Sequence, residues 1–236
     1  MGRAFEYRKA AKLKRWGHMA KTFTKLGKQI AIAVKAGGPD PDMNPTLRGI
    51  IATCKRENMP KDNIDRAIKN AMGKDQSDYK GMTYEGYGPH GVAVFVDTLT
   101  DNPTRTVANL RAAFVRGKGE LGTMGMNDFL FERKCSFVVA WHDDIDMDTL
   151  ELELIDCDID EVFRDEDEIM IYADFKNYGP ISKYLEDNGY EIKSFKFERI
   201  PLTMRELSPE EQEDVNGLIE RLEADDDVVN VFHNMA

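Results

Sequence analysis

A chain of 236 residues, 42% apolar and 32% charged, has the length for two or three domains with buried cores, and too much apolar content for a mainly disordered polypeptide. No apolar run approaches the ~18 residues that a membrane span requires. The net charge of −11 is unevenly divided: residues 1–80 carry +10, 81–134 balance, 135–203 carry −13 and 204–236 carry −8.

The chain opens on a cationic segment. Residues 8–28, RKAAKLKRWGHMAKTFTKLGK, hold eight Lys and Arg, and no acid occurs between Glu6 and Asp40. Within it, KTFTKLGKQIAIAVKAGG predicts a helix ended by Gly37 and Gly38. Phe23, Leu26, Ile30, Ala33 and Val34 share one face, while Lys21, Lys25, Lys28 and Lys35 form a row on the opposite face. NPTLRGIIATCKREN predicts a second helix on Leu47, Ile50, Ile51 and Cys54. PKDNIDRAIKNAMG predicts a third, with Pro60 in its first turn, a stripe of Ile64, Ala67, Ile68 and Ala71, and Gly73 as its stop. Three short amphipathic helices make a small bundle.

GKDQSDYKG then reads as a linker. Beyond it GVAVFVDTL predicts a strand, TDNPTRTVANLRAAFVRG a helix with Val107, Leu110, Ala113 and Phe114 inward, and DFLFERK a further strand. KCSFVVAW, EIMIYADF and YEIKSFKFERI are strand candidates separated by helical MDTLELELID and YGPISKYLEDNG. Their order over 135–203 points to a β-α-β-β-α-β, ferredoxin-like unit. TMREL predicts a strand, and SPEEQEDVNGLIERLEAD a helix whose Ser208, Pro209 and Glu211 form a capping box. VVNVFHN is the closing strand.

Chemical motifs are sparse. GKGELG, Gly117 to Gly122, satisfies G-x-G-x-x-G but closes a helix instead of opening one, so it reads as a flexible loop and not as a dinucleotide site. Setting Asp156, Asp158 and Asp160 as calcium-loop ligands places Glu161 where the sharp-turn glycine belongs, so the acidic runs read as solvated helix ends and turns. His18, His90, His142 and His233 lie in unrelated segments, none at metal-ligand spacing. No nucleophile elbow or phosphate loop occurs. The expectation is a non-enzyme with no cofactor, no metal and no small-molecule substrate. Cys54, Cys135 and Cys157 are odd in number and far apart, which fits a reducing cytoplasm. The basic start lacks the apolar segment of a secretory signal; a mitochondrial presequence, also basic and poor in acids, stays open.

The cationic segment carries the functional reading. Arg3, Arg8, Lys9, Lys12, Lys14, Arg15, Lys21, Lys25, Lys28 and Lys35 can neutralise phosphates, and Trp16 adds a ring able to stack on a base. The acidic remainder repels nucleic acid and suits a protein partner.

The stretches AKTFTKL, AVKAGGPDPDMNPTLRGII, NMPKDNIDRAI, TYEGYGPHGVAVFVDTLTDNPTRTVANLR and VVNVFHN resemble the YebC family, which includes the mitochondrial translational activator of cytochrome oxidase subunit I. The resemblance implies an α+β multidomain fold: a basic helical domain over 1–80, a middle α+β domain from 81–134 plus 204–236, and an acidic ferredoxin-like domain, 135–203, inserted in it. It implies a cytoplasmic, DNA-binding transcriptional regulator; the alternative is an RNA-associated factor that relieves stalled translation at the ribosome. Two rivals remain: a protein-interaction scaffold, and an enzyme with its site between the α+β domains. The family's basic region maps onto Arg8, Lys9, Lys12, Lys14, Arg15, Lys21, Lys25 and Lys28. Arg105 and Arg111, in TDNPTRTVANLR, either extend that surface or serve the fold. Two departures stand out: many members begin Gly-His-Ser-Lys-Trp where this chain has GRAFEYRKA, and GELGTMGMNDFLF lacks the serine-rich form expected there.

Overall fold

The computed structural model describes residues 21–73 and 78–236, which fall into two units divided between Tyr79 and Lys80. The first is helical: α1 over 21–37, α2 Pro45–Arg56 and α3 Lys61–Ala71. Its core takes Leu26, Ile30, Ala33 and Val34 from α1, Leu47, Ile50 and Cys54 from α2, and Ile64 and Ala71 from α3. Asn44 fastens the α1–α2 turn. As N-cap of α2 its side-chain oxygen accepts from Leu47 N–H at 3.1 Å, while its amide donates to the carbonyls of Ala33 and Gly38 at 2.8 Å each. A Cβ at Gly37 would lie 2.8 Å from that amide, and Gly38 holds φ +90, so the glycine pair meets both a close approach and a left-handed turn.

The second unit holds two antiparallel four-stranded sheets. Strands β1 Lys80–Tyr87, β2 Ala93–Thr100, β3 Glu120–Leu121 and β8 Val228–His233 make the first, in the order β3-β1-β2-β8. Helices α4 Pro103–Arg116 and α7 Pro209–Glu223 cover one face, where Val94, Val96, Leu110, Phe114, Leu218 and Leu222 are packed. On the other face Phe95 meets the edge of Phe131, ring centroids 5.1 Å apart. The second sheet has the order β5-β6-β4-β7, from β4 Phe131–Ala140, β5 Ile159–Asp165, β6 Glu168–Asp174 and β7 Ile192–Pro201. Helices α5 Met147–Ile155 and α6 Tyr178–Asp187 bury Leu150, Leu154, Ile181 and Leu185 against Cys135, Phe137, Ile169 and Ile171. The fold is α+β and multidomain, with the ferredoxin-like β-α-β-β-α-β sequence standing between β3 and β8 of the other sheet.

Several elements differ from the sequence reading. The strand parts of DFLFERK and KCSFVVAW are one strand, β4, which starts beside Phe95 of the first sheet at Phe131, after a 3-10 turn at Asp128–Leu130, and ends in the core of the second sheet. It pairs with β7 from Phe131↔Pro201 to Val139↔Ile192. Three strands are named nowhere in that reading: β1, KGMTYEGY, the two-residue β3 inside GKGELG, and β5, IDEVFRD, which fills the second strand place of the β-α-β-β-α-β order. The predicted TMREL strand is only an isolated bridge, Arg205 to Met235. The GKGELG loop is packed where a flexible one was expected: Cβ atoms on Gly117 and Gly119 would lie 2.7 Å from Leu218 and 2.5 Å from the Tyr87 carbonyl. The loop after it is anchored by Glu85, 3% exposed, whose carboxylate accepts from the N–H groups of Gly125 and Asn127 at 2.6 and 2.8 Å. Among the described residues no helix is long and apolar enough to cross a membrane.

Candidate nucleic-acid interface

Helix α1 forms because its apolar side chains recur at helical spacing, but the packed arc is wider than that spacing alone implies. Lys28 is 8% exposed, its amine 5.4 Å from the centre of the Tyr79 ring. Lys35 is exposed and pairs with Asp78 at 3.4 Å. Asp78 and Tyr79, at the end of the predicted linker, therefore lie against the lysine row. The expectation of four open ammonium groups is corrected: Lys21 is exposed, Lys25 half-buried, Lys28 buried, and Lys35 matched to a carboxylate. Lys28 tolerates burial because its long aliphatic stem packs while the charged end meets an aromatic face.

The predicted contacts Arg3, Arg8, Lys9, Lys12, Lys14, Arg15 and Trp16 lie outside the described residues. The same unit exposes a second set of cations that sequence reasoning missed, namely Lys55 and Arg56 on α2 and Lys61, Arg66 and Lys69 on α3. Glu57, Asp62 and Asp65 stand among them in the sequence and disguise them as an ordinary mixed face. The usable signal was the last turn of α2, where Lys55 and Arg56 also face the negative end of the helix dipole.

Arg105 belongs to the second unit and is a clasp. Its guanidinium reaches Asp101 at 2.9 Å and Asp227 at 2.7 Å. Asp227, 4% exposed, also accepts from the hydroxyls of Thr100 at 3.1 Å and Thr106 at 2.9 Å. The hydrogen bond to Asp227, then that to Asp101, raises the Arg105 pKa and holds the charge in place. Of its two sequence readings, the one serving the fold is the one these contacts support. Arg111 is exposed on α4.

Two family models match the chain. One, described as the TACO1/YebC protein N-terminal domain, covers residues 3–74, and the other, the TACO1/YebC second and third domain, covers 79–235. A protein of Bacteroides thetaiotaomicron named "Probable transcriptional regulatory protein" is 64% identical, across 100% of this chain and 96% of its own length. One of the same name from Flavobacterium johnsoniae is 54% identical, covering 100% and 99%. Among solved structures, the conserved hypothetical protein Aq1575 from Aquifex aeolicus superposes with a TM-score of 0.72 at 34% identity, over 92% of this chain and 90% of that one.

Proposed function

The chain belongs to the TACO1/YebC family, and on that premise we propose that it is a non-enzymatic regulator of gene expression whose first unit grips nucleic acid. The observation that carries this reading is the charge of the first 80 residues, +10 in a chain of net −11, with Lys21, Lys35, Lys55, Arg56, Lys61, Arg66 and Lys69 exposed on its helices. The names of the relatives support a role in transcription. Docking is electrostatic, with selection by shape and no bond made or broken. Phosphate contacts fix position while base contacts, for which Trp16 is the candidate, discriminate. Residues 135–203, at −13, repel phosphate and confine binding to the cationic end. The working division of labour is that of the three domains, 1–80, 81–134 with 204–236, and 135–203.

Fluorescence anisotropy against duplex DNA over a salt series tests it. About six phosphate contacts give a log–log slope near −5, or near −4 for a single strand. Replacing Lys12, Lys21 and Lys25 by Glu is expected to flatten the duplex slope by about 0.9 for each phosphate no longer neutralised. Unchanged affinity in that variant overturns the site. Sequencing nucleic acid crosslinked to the protein in cells separates targets: discrete chromosomal peaks support transcription, and enriched ribosomal RNA moves the protein to translation.

A further inference from the structure

The helical unit holds a groove of about 800 Å³ between the C-terminal half of α2, one face of α3 and the turn at Pro39 and Pro41. Its floor is aliphatic, made of Ile51, Ile64, Ile68 and Met72, and Met72 is 57% exposed. Lys55, Lys61 and Lys69 stand along its rim with a single acid, Asp65. On α3 and its C-cap Met72 these residues fall at 61, 64, 65, 68, 69 and 72, the spacing of one continuous helical face. An apolar trough edged by three lysines and one carboxylate fits a helix that presents aliphatic side chains flanked by acids.

The second unit presents such a helix. On α5, Leu150 and Leu154 point into the core of the second sheet, whereas Leu152 and Ile155 are 68% and 59% exposed. Their spacing of three residues sets them on one outward face. Asp148, Glu151 and Asp156 lie on that face or at its edges, all exposed, with no Lys or Arg between residues 135 and 163. Lys134, just before that stretch, is already engaged by Glu132 and Asp160 at 3.2 and 3.0 Å. Two exposed aliphatics in a field of carboxylates complement the groove in both shape class and sign.

We infer that the α5 face of one copy docks in the α2–α3 groove of a second copy, so that the protein self-associates head to tail. The inference goes beyond the nucleic-acid reading and does not depend on it. Groove and helix lie on different units, so the contact is heterologous, leaving one groove and one α5 open after each addition unless a ring closes. The charge division of the chain, +10 before residue 81 and −13 over 135–203, favours that pairing over like-with-like contacts at low salt.

The test is sedimentation velocity on full-length, nuclease-treated protein from 1 to 100 µM as working concentrations, at low and high salt, with two variants. Leu152→Glu with Ile155→Glu breaks the helix half, and Lys55→Glu with Lys69→Glu breaks the groove half; all four residues are exposed, and circular dichroism verifies that both variants fold. Wild-type protein is expected to sediment faster as concentration rises, with association weakened about tenfold or more at high salt. Each variant alone is expected to stay monomeric, and an equimolar mixture of the two to form a dimer that grows no further, since one intact groove meets one intact helix. A monomeric wild type, a variant that associates as wild type does, or a mixture that stays monomeric overturns the inference. The α5 variant is expected to bind nucleic acid unchanged, which separates a failure here from a failure of the phosphate site.

Discussion

The Lys28 amine lies over the Tyr79 ring, so its replacement tests burial and not nucleic-acid contact. Lys28→Glu is expected to destabilise the first unit by about 1–3 kcal/mol in urea titration, because a carboxylate is placed against a ring face in a site that is largely dry. Lys28→Met keeps the stem and should cost less. Asp227 is the corresponding position in the second unit: Asp227→Ala removes the acceptor that the Thr100 and Thr106 hydroxyls and the Arg105 guanidinium share, and is expected to cost about 1–3 kcal/mol. Arg105→Ala should cost less, since that side chain is 47% exposed, and should leave nucleic-acid affinity unaltered. The partner that defines Arg105 lies 122 residues away in the chain. Its charge was visible in the sequence, but a contact of that separation is set by tertiary packing and carries no local signal.

Among the elements, α7 was the most legible, because its start signal is local. Ser208 accepts from Glu211 N–H at 3.4 Å and Glu211 accepts from Ser208 N–H at 2.8 Å. One turn on, Asp214 receives Lys118 at 3.0 Å and faces His90 at 3.1 Å. The Ser208 backbone hydrogen bond lowers the Glu211 pKa from the ordinary 4.5, and Lys118, then His90, lower that of Asp214 from 3.8. A carboxyl depressed in the folded state adds stability that is complete above its unfolded value and lost as pH falls through the folded one. Glu211→Gln combined with Asp214→Asn should therefore lower the melting temperature at pH 7, with the gap from wild type closing below about pH 4. Strands β1 and β5 were illegible for physical reasons. Two glycines interrupt β1, and β5 is an acidic edge strand whose charges suit an edge but mask its alternation. The α1 face was half legible: periodicity located its apolar stripe, but nothing local announced that Asp78 and Tyr79 would lie on its lysines.

For the molecule as a whole, the division at Tyr79 makes a prediction about fragments. A fragment of residues 1–79 keeps Lys28 against Tyr79 and Lys35 against Asp78, and one of residues 1–73 loses both. The longer piece should melt at the higher temperature by circular dichroism and bind duplex DNA with the salt slope of the intact chain. The order of charged residues along the chain disclosed the polarity of the charge, but not which cations stay exposed, since that depends on what packs over them. Between the two sheets the backbone crosses twice, along β4 and back along β7, with nine paired positions from Phe131↔Pro201 to Val139↔Ile192. Arg199 on β7 stacks over Phe95 of the first sheet at 4.2 Å and spans the seam. A load applied along that twin rail would strain its hydrogen bonds in parallel rather than unzip them one by one. Stretched in an optical trap by its second unit, the protein should resist as a girder and yield in a single rip.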